Sequence, residues 1–318
     1  MAHEVEIKNG VGSMFYVGDR PWHGLGVPLL NPPTIEEGLE AAGLNWTVGL
    51  KPLYTAEGVD VSANATVRES DGSILGVVGQ SYEPLQNMEA FKFFQPFLDN
   101  GLAELQTAGS LREGRRVWVL AKIKADPMVI KGRDTVEKFI LLSNSHDGTQ
   151  AVRVGFVPIR VVCANTLAAA HKDEASKLIR VRHSAQVVAN VEALGAIMNV
   201  ANQTFEANAE QYRMLASKQI NAADLKKYIQ VVMNIDPDSE RESSVMAKII
   251  PMFEKGRGND MSEIAGTYWA AYNGITEFLQ YVKGKDPAIR LDNAWFGTGM
   301  TINQRALETA VMMAKVAA

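Results

Sequence analysis

Four residues in the middle of the chain could carry chemistry together: His146, Asp147, Cys163 and His183. A His-Asp pair is part of the ligand set of metal-dependent phosphohydrolases, and a thiol with a histidine base is the pair of a cysteine nucleophile. However, His146-Asp147 falls in a predicted turn without further histidines at helical spacing, and Cys163 follows an apolar run that is typical of a buried, inert thiol. The pattern leaves an enzyme open but favours neither a metal site nor a nucleophile.

The sequence also lacks the glycine-rich loops with which many enzymes bind nucleotides. Neither Gly-x-x-x-x-Gly-Lys-Ser/Thr nor Gly-x-Gly-x-x-Gly after a strand occurs. Residues 296–300 are interpreted as a loop before the last helix. We therefore expect no nucleotide hydrolysis and no cofactor. No metal is expected either, because the His146-Asp147 pair lacks further histidines at helical spacing.

Positive charge is concentrated between residues 107 and 183. This stretch holds fourteen Lys and Arg against seven Asp and Glu, a net charge of +7 in a chain whose net charge is −4, so that the remainder carries −11. Such an excess is typical of surfaces that bind polyanions, of which nucleic acid is the commonest. The alternative is that these side chains are the solvated outer faces of strands.

Arginine supports the first interpretation, because its planar guanidinium group pairs bidentately with phosphate and accepts unstacked bases. Trp118 and Phe156 lie near the basic residues and could stack on bases, although Trp118, between two valines, is better interpreted as a core residue. The residues predicted to bind nucleic acid are Arg112, Arg115, Arg116, Lys122, Arg153, Arg160, Arg180 and Arg182.

Predicted β-hairpins position most of these basic residues. Asp71-Gly72 and Asp147-Gly148 are strong turn signals, and Thr34 with Glu37 predicts a capped helix start. In the strand of residues 150–156, Arg153 should face away from the apolar side chains. The paired strands are predicted at 61–67 with 74–78, 104–110 with 116–123, and 138–143 with 150–156.

Beyond about residue 184 the pattern changes to long helical stretches with few breakers. The predicted fold class is therefore α+β. Residues 1–183 should form a mixed half, with an extended N-terminal arm and antiparallel β-hairpins packed with helices. Residues 184–318 should form an all-helical C-terminal half.

Composition places the protein among ordinary globular chains, with 47% hydrophobic and 21% charged residues. A single cysteine excludes an intramolecular disulfide and a zinc site of paired thiolates. The chain has no apolar run long enough to span a membrane, and its first residues do not read as a signal peptide. The expected location is the cytoplasm, with no membrane partner.

Several motifs resemble a phage/plasmid-like protein family of unknown function, which occurs in bacteriophages, prophages and mobile elements. The resemblance is dense over residues 1–183 and thinner through 266–269 and 295–297. The motifs that carry it are SMFYVG at 13–18, PWHGLG at 21–26, YEPLQN at 82–87, AGSL at 108–111, GRRVW at 114–118, SHDG at 145–148 and RVVCANTL at 160–167.

Because that resemblance implies a mobile-element setting, we interpret the basic segment by analogy with the single-strand annealing recombinases of bacteriophages. The expected function is binding of single-stranded DNA, with annealing during recombination, by a cytoplasmic homo-oligomer in the bacterial host. A phage exonuclease or a host protein is a further expected partner. The alternative is a phage-encoded protein-interaction factor, such as an inhibitor of host defence, and an enzyme using His146, Asp147, Cys163 and His183 ranks last.

Overall fold

The computed structural model divides the chain into two compact units that interleave along the sequence. The first unit comprises Met1–Ala125, Phe139–Phe156 and Lys177–Ala201, and the second comprises Asp126–Lys138, Val157–Ser176 and Asn202–Ala318. The structure describes residues 5–8, 10–18, 21, 24–160, 165–166, 179–194, 201–284, 290, 293–294 and 297–316. Cys163 lies outside these residues.

The first unit is built on a large mixed sheet. Its strands are β3 Met14–Val17, β4 Val27–Leu29, β8 Ala103–Leu111, β9 Arg116–Ile123, β11 Asp134–Ser145, β12 Val152–Arg160 and β14 Ile179–Val181. The strand order is β14-β12-β11-β9-β8-β3-β4. Antiparallel neighbours predominate, and the exception is a parallel pair at one edge, β3 with β4.

Smaller elements complete the first unit. A two-stranded ribbon is followed by a three-stranded antiparallel sheet, in which the strands lie in sequence order. The three-stranded sheet contains the predicted hairpin of residues 61–67 and 74–78. The bounds are β1 Ile7–Lys8, β2 Val11–Gly12, β5 Val48–Tyr54, β6 Asp60–Arg68, β7 Ile74–Gly79, α1 Ile35–Ala41, α2 Asn87–Lys92, α3 Gln95–Asp99 and α4 Val187–Leu194.

The core of this unit lies between one face of the large sheet and the short helices. Helix α1 begins as predicted, with a capping box in which Thr34 and Glu37 exchange hydrogen bonds. Gly38 allows α1 to approach closely, because a Cβ at this position would meet ring atoms of Phe15 and Phe91 at 3.3 Å. Burial of such aromatic side chains contributes roughly 2–3 kcal/mol each. Because the short helices cover this face of the large sheet, the opposite face is left for other contacts.

The second unit combines helices with strand segments. The C-terminal helices pack on one another, and Tyr228 and Tyr272 donate hydrogen bonds to Ala306 and Asn303 of the last helix. The remaining bounds are β10 Met128–Lys131, β13 Asn165–Thr166, α5 Ala201–Ser217, α6 Ala222–Met233, α7 Glu240–Lys255, α8 Tyr268–Glu277, a π-helical turn Phe278–Val282 and α9 Thr298–Val316.

The prediction of an all-helical C-terminal half is wrong. Strands β13 and β14 and the end of β12 lie past the midpoint of the chain, although before residue 184, and within residues 184–318 Gln219 forms an isolated β-bridge with Thr267. The physical reason is that β11 and β12 are longer than the turn signals indicate. Residues 134–138 of β11 and 157–160 of β12 extend into the second unit, where β10 and β13 pair with them. None of the described helices is both long and apolar enough to cross a membrane.

Candidate nucleic-acid interface

Arginine side chains meet at the β12–β14 edge of the large sheet. Val152, Val154 and Val181 belong to the core cluster, so strand alternation turns Arg153 and Arg180 to the opposite face. These two arginines are direct cross-strand partners. Burial lowers the pKa of Arg153, and the nearby charge of Arg180 lowers it further. Like charges in this position repel, and a bound anion would remove the repulsion.

A third arginine extends this pair. Arg182 follows directly after β14 and is exposed, as is Arg180, whereas Arg153 is half-buried. In the part of the chain that the structure describes, neither Arg180 nor Arg182 forms an ion pair or a side-chain hydrogen bond. We call Arg153, Arg180 and Arg182 the edge cluster. The guanidinium groups of Arg180 and Arg182 are open to solvent, and such groups can bind phosphate.

The hairpin of β8 and β9 presents two more predicted arginines at its turn. Leu111 pairs with Arg116, which confirms the predicted hairpin and leaves residues 112–115 as the turn. Arg115 is exposed and lies 4.0 Å from the carboxylate of Glu113, while Arg112 is half-buried. An exposed ion pair of this length contributes little, so Arg115 remains available to solvent.

A buried arginine that the sequence did not indicate holds this turn by a hydrogen bond to its backbone. Arg68 is 1% exposed and donates from Nη2 to the carbonyl of Glu113 at 2.6 Å. Its Nη1 pairs with Glu6 at 2.6 Å and with Asp71 at 3.2 Å, and its guanidinium lies 4.5 Å from the ring centroid of Trp46. A buried charged network therefore helps to hold the turn.

The turn itself has three successive left-handed residues, Arg112, Glu113 and Gly114, with φ of 54°, 59° and 84°. Left-handed backbone costs a residue with a Cβ about 1 kcal/mol. We expect Glu113→Gly to raise the free energy of unfolding by about 0.5–1 kcal/mol relative to Glu113→Ala, measured by urea unfolding. The alanine variant is the matched control, since it removes the same charge but keeps the Cβ. Equal stability of the two variants would contradict this account.

Two of the predicted basic residues are almost inaccessible. Arg116 is 2% exposed and interacts with Asp147 and with the hydroxyl of Thr149 at 3.4 Å. Arg160 is 0% exposed and lies in the second unit. Neither guanidinium is placed to meet a phosphate at the surface.

Arg160 is held by a buried network. It pairs with Asp134 through Nε at 2.9 Å and Nη2 at 2.9 Å, and it also donates to Asn259 and to the carbonyls of Arg257 and Gly258. The indole N–H of Trp269 donates to the same carboxylate at 2.7 Å. This geometry is that of a structural ion pair.

Lys122 and the aromatic side chains add less to the interface than the sequence indicated. Lys122 is half-buried and lies opposite Glu104, whose carboxylate pairs with Lys124 at 3.4 Å. Trp118 is 2% exposed, as its interpretation as a core residue requires. Phe156 is partly buried against the core cluster. Bases bound at the edge cluster would therefore stack on guanidinium planes rather than on these rings.

The family model of DUF932, a domain of unknown function, matches residues 74–306, nearly three quarters of the chain. The chain belongs to the DUF932 family. No curated protein and no solved structure matches it. All three residues of the edge cluster lie within the DUF932 domain.

Of the four residues considered for an enzyme, the structure describes His146, Asp147 and His183, which all lie within the DUF932 domain. Burial raises the pKa of Asp147. Hydrogen bonds from Ser145 and Thr149 and the charge of Arg116 outweigh that effect and hold the pKa below its usual value. Burial lowers the pKa of His183, whose ring stacks on Tyr82 at 4.6 Å. Among the described residues, no three His, Cys, Asp or Glu side chains are grouped as a metal site requires.

His146 is wholly buried and neutral. Asn87 donates through its amide to the carbonyls of Leu44 and Trp46, so its Oδ1 must accept from Nε2 of His146 at 2.9 Å. Nδ1 of His146 then carries a lone pair and no proton, and it has no hydrogen-bond partner among the described residues. Burial, and to a smaller extent the charge of His183, lowers the pKa of His146 to about 3.

This buried histidine predicts an acid-sensitive DUF932 domain. The unfolded chain binds a proton below about pH 6.5, which the folded protein does not, so the free energy of unfolding falls as the pH drops. From pH 6.5 to 5 the loss should be about 1.6 kcal/mol. We expect His146→Gln to lose this part of the pH dependence in urea unfolding across that range. A histidine NMR spectrum of the unsubstituted protein that shows a protonated His146 ring at pH 5 would contradict the assignment.

Proposed function

We propose that this DUF932 protein binds single-stranded DNA at the edge cluster and promotes annealing of complementary strands, without nucleotide hydrolysis. The observation that carries the proposal is the direct cross-strand opposition of Arg153 and Arg180, with Arg182 exposed beside them. A phosphodiester chain would neutralise this repulsion. Its release of counterions would add affinity that depends steeply on salt.

The position of the cluster on strands favours single strands over duplex. Arg153 and Arg180 belong to neighbouring β-strands, and no described helix presents the cluster to a major groove. Proteins that bind single strands commonly hold the backbone along a positively charged groove and leave the bases to stack on planar side chains. Arg112 and Arg115 at the β8–β9 turn would give a second phosphate contact.

The setting that we propose is a bacteriophage or mobile element, on the resemblance of the motifs at 82–87, 114–118 and 145–148 to phage/plasmid-like proteins. In that setting the protein would act in the bacterial cytoplasm as a homo-oligomer, with an exonuclease or a host protein as partner. Oligomeric assembly suits annealing, because a strand held by successive subunits presents its bases in one continuous array.

The proposal is tested by fluorescence anisotropy with a labelled single-stranded oligonucleotide, across roughly 50 to 200 mM salt. We expect binding that weakens steeply with salt and that exceeds binding of a duplex of the same sequence. A strand-annealing assay follows. No binding at the lowest salt would refute the proposal.

A second candidate function is protein interaction, as in an inhibitor of host defence. Val61, Ile74 and Val77 of the three-stranded sheet are 45%, 64% and 61% exposed. An exposed apolar surface of this kind is typical of a protein contact. Association through it should survive 0.5 M salt and should be lost in Val77→Asp, whereas DNA binding should show the opposite response.

A further inference from the structure

Strand β7 is an outer strand of the three-stranded sheet, and its pairing with β6 shows which way its backbone groups point. The hydrogen-bonding groups of successive residues in a strand point to opposite sides. Thr66 of β6 points toward β7, because Arg68, two residues on, donates its N–H to the carbonyl of Ser73, just before β7, at 2.9 Å. Gly76 pairs with Thr66 and so points back to β6. The N–H and the carbonyl of the next residue, Val77, therefore point outward.

Two observations agree with an open edge at Val77. Gly79, two residues on, also points outward, and its carbonyl accepts from the backbone N–H of Tyr82 outside the sheet at 3.1 Å. For Val77 itself, no described residue supplies a partner on this outer side. Val77 is also 61% exposed. Its outward N–H and carbonyl are therefore accessible to another strand.

The opposite edge of the same sheet is closed. The side-chain amide of Gln86 binds the N–H and the carbonyl of Val48 in β5 at 2.9 Å each. Further along β5, Pro52 has no N–H that could pair with a neighbouring strand. An incoming strand therefore finds no continuous row of backbone groups on β5.

The other edge strands with three or more described residues are also protected. Proline and charged side chains on an edge strand oppose pairing with another chain. These residues are Pro28 in β4, Lys131 in β10 and Arg180 in β14. Strand β7, with the sequence ILGVVG, has neither proline nor charge. Because these other edges are protected, the unprotected edge of β7 indicates a partner strand.

A second copy of β7 matches this edge. In an antiparallel pair, two residues that lie directly opposite each other can exchange both of their N–H···O=C hydrogen bonds. With a two-fold axis through Val77, this residue donates to Val77 of the second copy and accepts from it. No like charges meet, because β7 is uncharged, and the two exposed valine side chains pack against each other. Two-fold contact between identical surfaces is the commonest form of self-association.

We propose that two copies of this protein pair antiparallel through β7, with the two-fold axis at Val77, and join their three-stranded sheets into one six-stranded sheet. The proposal gives the homo-oligomer of the proposed function an interface. It rests on the chemistry of the strand edge and on no contact with DNA, so it stands or falls separately from DNA binding.

The test is sedimentation velocity of the full-length protein without DNA, from about 1 to 100 μM. We expect a dimer that dissociates on dilution. Val77→Pro removes the outward N–H and leaves the groups that pair with β6, so it should raise the dissociation constant of the dimer by about tenfold or more, since two hydrogen bonds are lost. Val77→Thr is the matched control, because it keeps the shape of the side chain and both backbone groups, and it should still form the dimer.

A protein that stays monomeric at the highest concentration overturns the proposal and leaves the edge to a strand of another protein. A Val77→Pro variant that forms the dimer as well as Val77→Thr also overturns it. Should Val77→Pro fail to fold by circular dichroism, Val77→Lys replaces it with the same expectation, because two ammonium groups would then meet at the axis. Replacing Arg180 and Arg182 by glutamine should leave the dimer unchanged, which separates this interface from the edge cluster.

Discussion

Replacing Arg160 by methionine is expected to lower the free energy of unfolding by about 3–5 kcal/mol, measured by urea unfolding with tryptophan fluorescence. The substitution removes the positive partner of Asp134, which is itself 0% exposed and would keep an uncompensated charge. Methionine fills a similar volume, so the loss reports the charge and the hydrogen bonds rather than a cavity. It would be the largest stability effect among the variants considered.

A double variant distinguishes charge from packing. Arg160→Met combined with Asp134→Leu removes both charges, and replacing a whole buried pair costs much less than breaking it. We expect partial recovery, because the indole N–H of Trp269 then lacks its acceptor at 2.7 Å. Lys227→Met, on the exposed side of α6, serves as the surface control. A loss below about 1 kcal/mol in Arg160→Met would show that the pair is not essential to the fold.

The second large effect concerns DNA binding. We expect the double variant Arg180→Gln with Arg182→Gln to weaken binding of single-stranded DNA by about tenfold or more at 100 mM salt, measured by anisotropy. Both side chains are exposed and form no ion pair among the described residues, so their replacement should leave the fold intact. The loss of two phosphate contacts should also reduce the slope of log affinity against log salt by about 1.4.

The matched control changes the same total charge elsewhere. Lys227 and Lys248 are exposed on α6 and α7, and Lys227→Gln with Lys248→Gln should leave both affinity and salt slope unchanged. Equal losses in the two double variants would indicate general electrostatic attraction and would refute the edge cluster as the binding site. A double variant of Arg115 and Arg116 is less informative, because Arg116 is 2% exposed and interacts with Asp147.

Local structure could be predicted from the sequence where short-range chemistry decides it. The capping box of Thr34 and Glu37 and the pairing of β8 with β9 are confirmed. Both depend on residues only a few positions apart, and hydrogen-bond geometry and turn preference act over that range. The lengths of β11 and β12 are not set by short-range chemistry, because a strand ends where its partner strand ends. For this reason the extensions that pair with β10 and β13 were not predicted.

The roles of the individual arginines could not be read from the sequence. Arg160 and Arg180 both follow an apolar residue in a basic stretch, yet one is 0% exposed beside Asp134 and the other is exposed opposite Arg153. Arg68, outside that stretch, donates to the carbonyl of Glu113 in the β8–β9 turn, and its ion-pair partner Glu6 is sixty-two positions away. A charge count includes every arginine equally, whether a partner from a distant segment neutralises it or not.

The sequence by itself determined a globular α+β protein with a strong local excess of positive charge and the short-range signals for its hairpins and helix starts. Only the tertiary structure decided which charges are buried in ion pairs and which are brought together at the β12–β14 edge. The reason is that a charged side chain is buried only when the fold supplies a partner. Those partners, such as Asp134 for Arg160 and Glu6 for Arg68, come from remote parts of the chain.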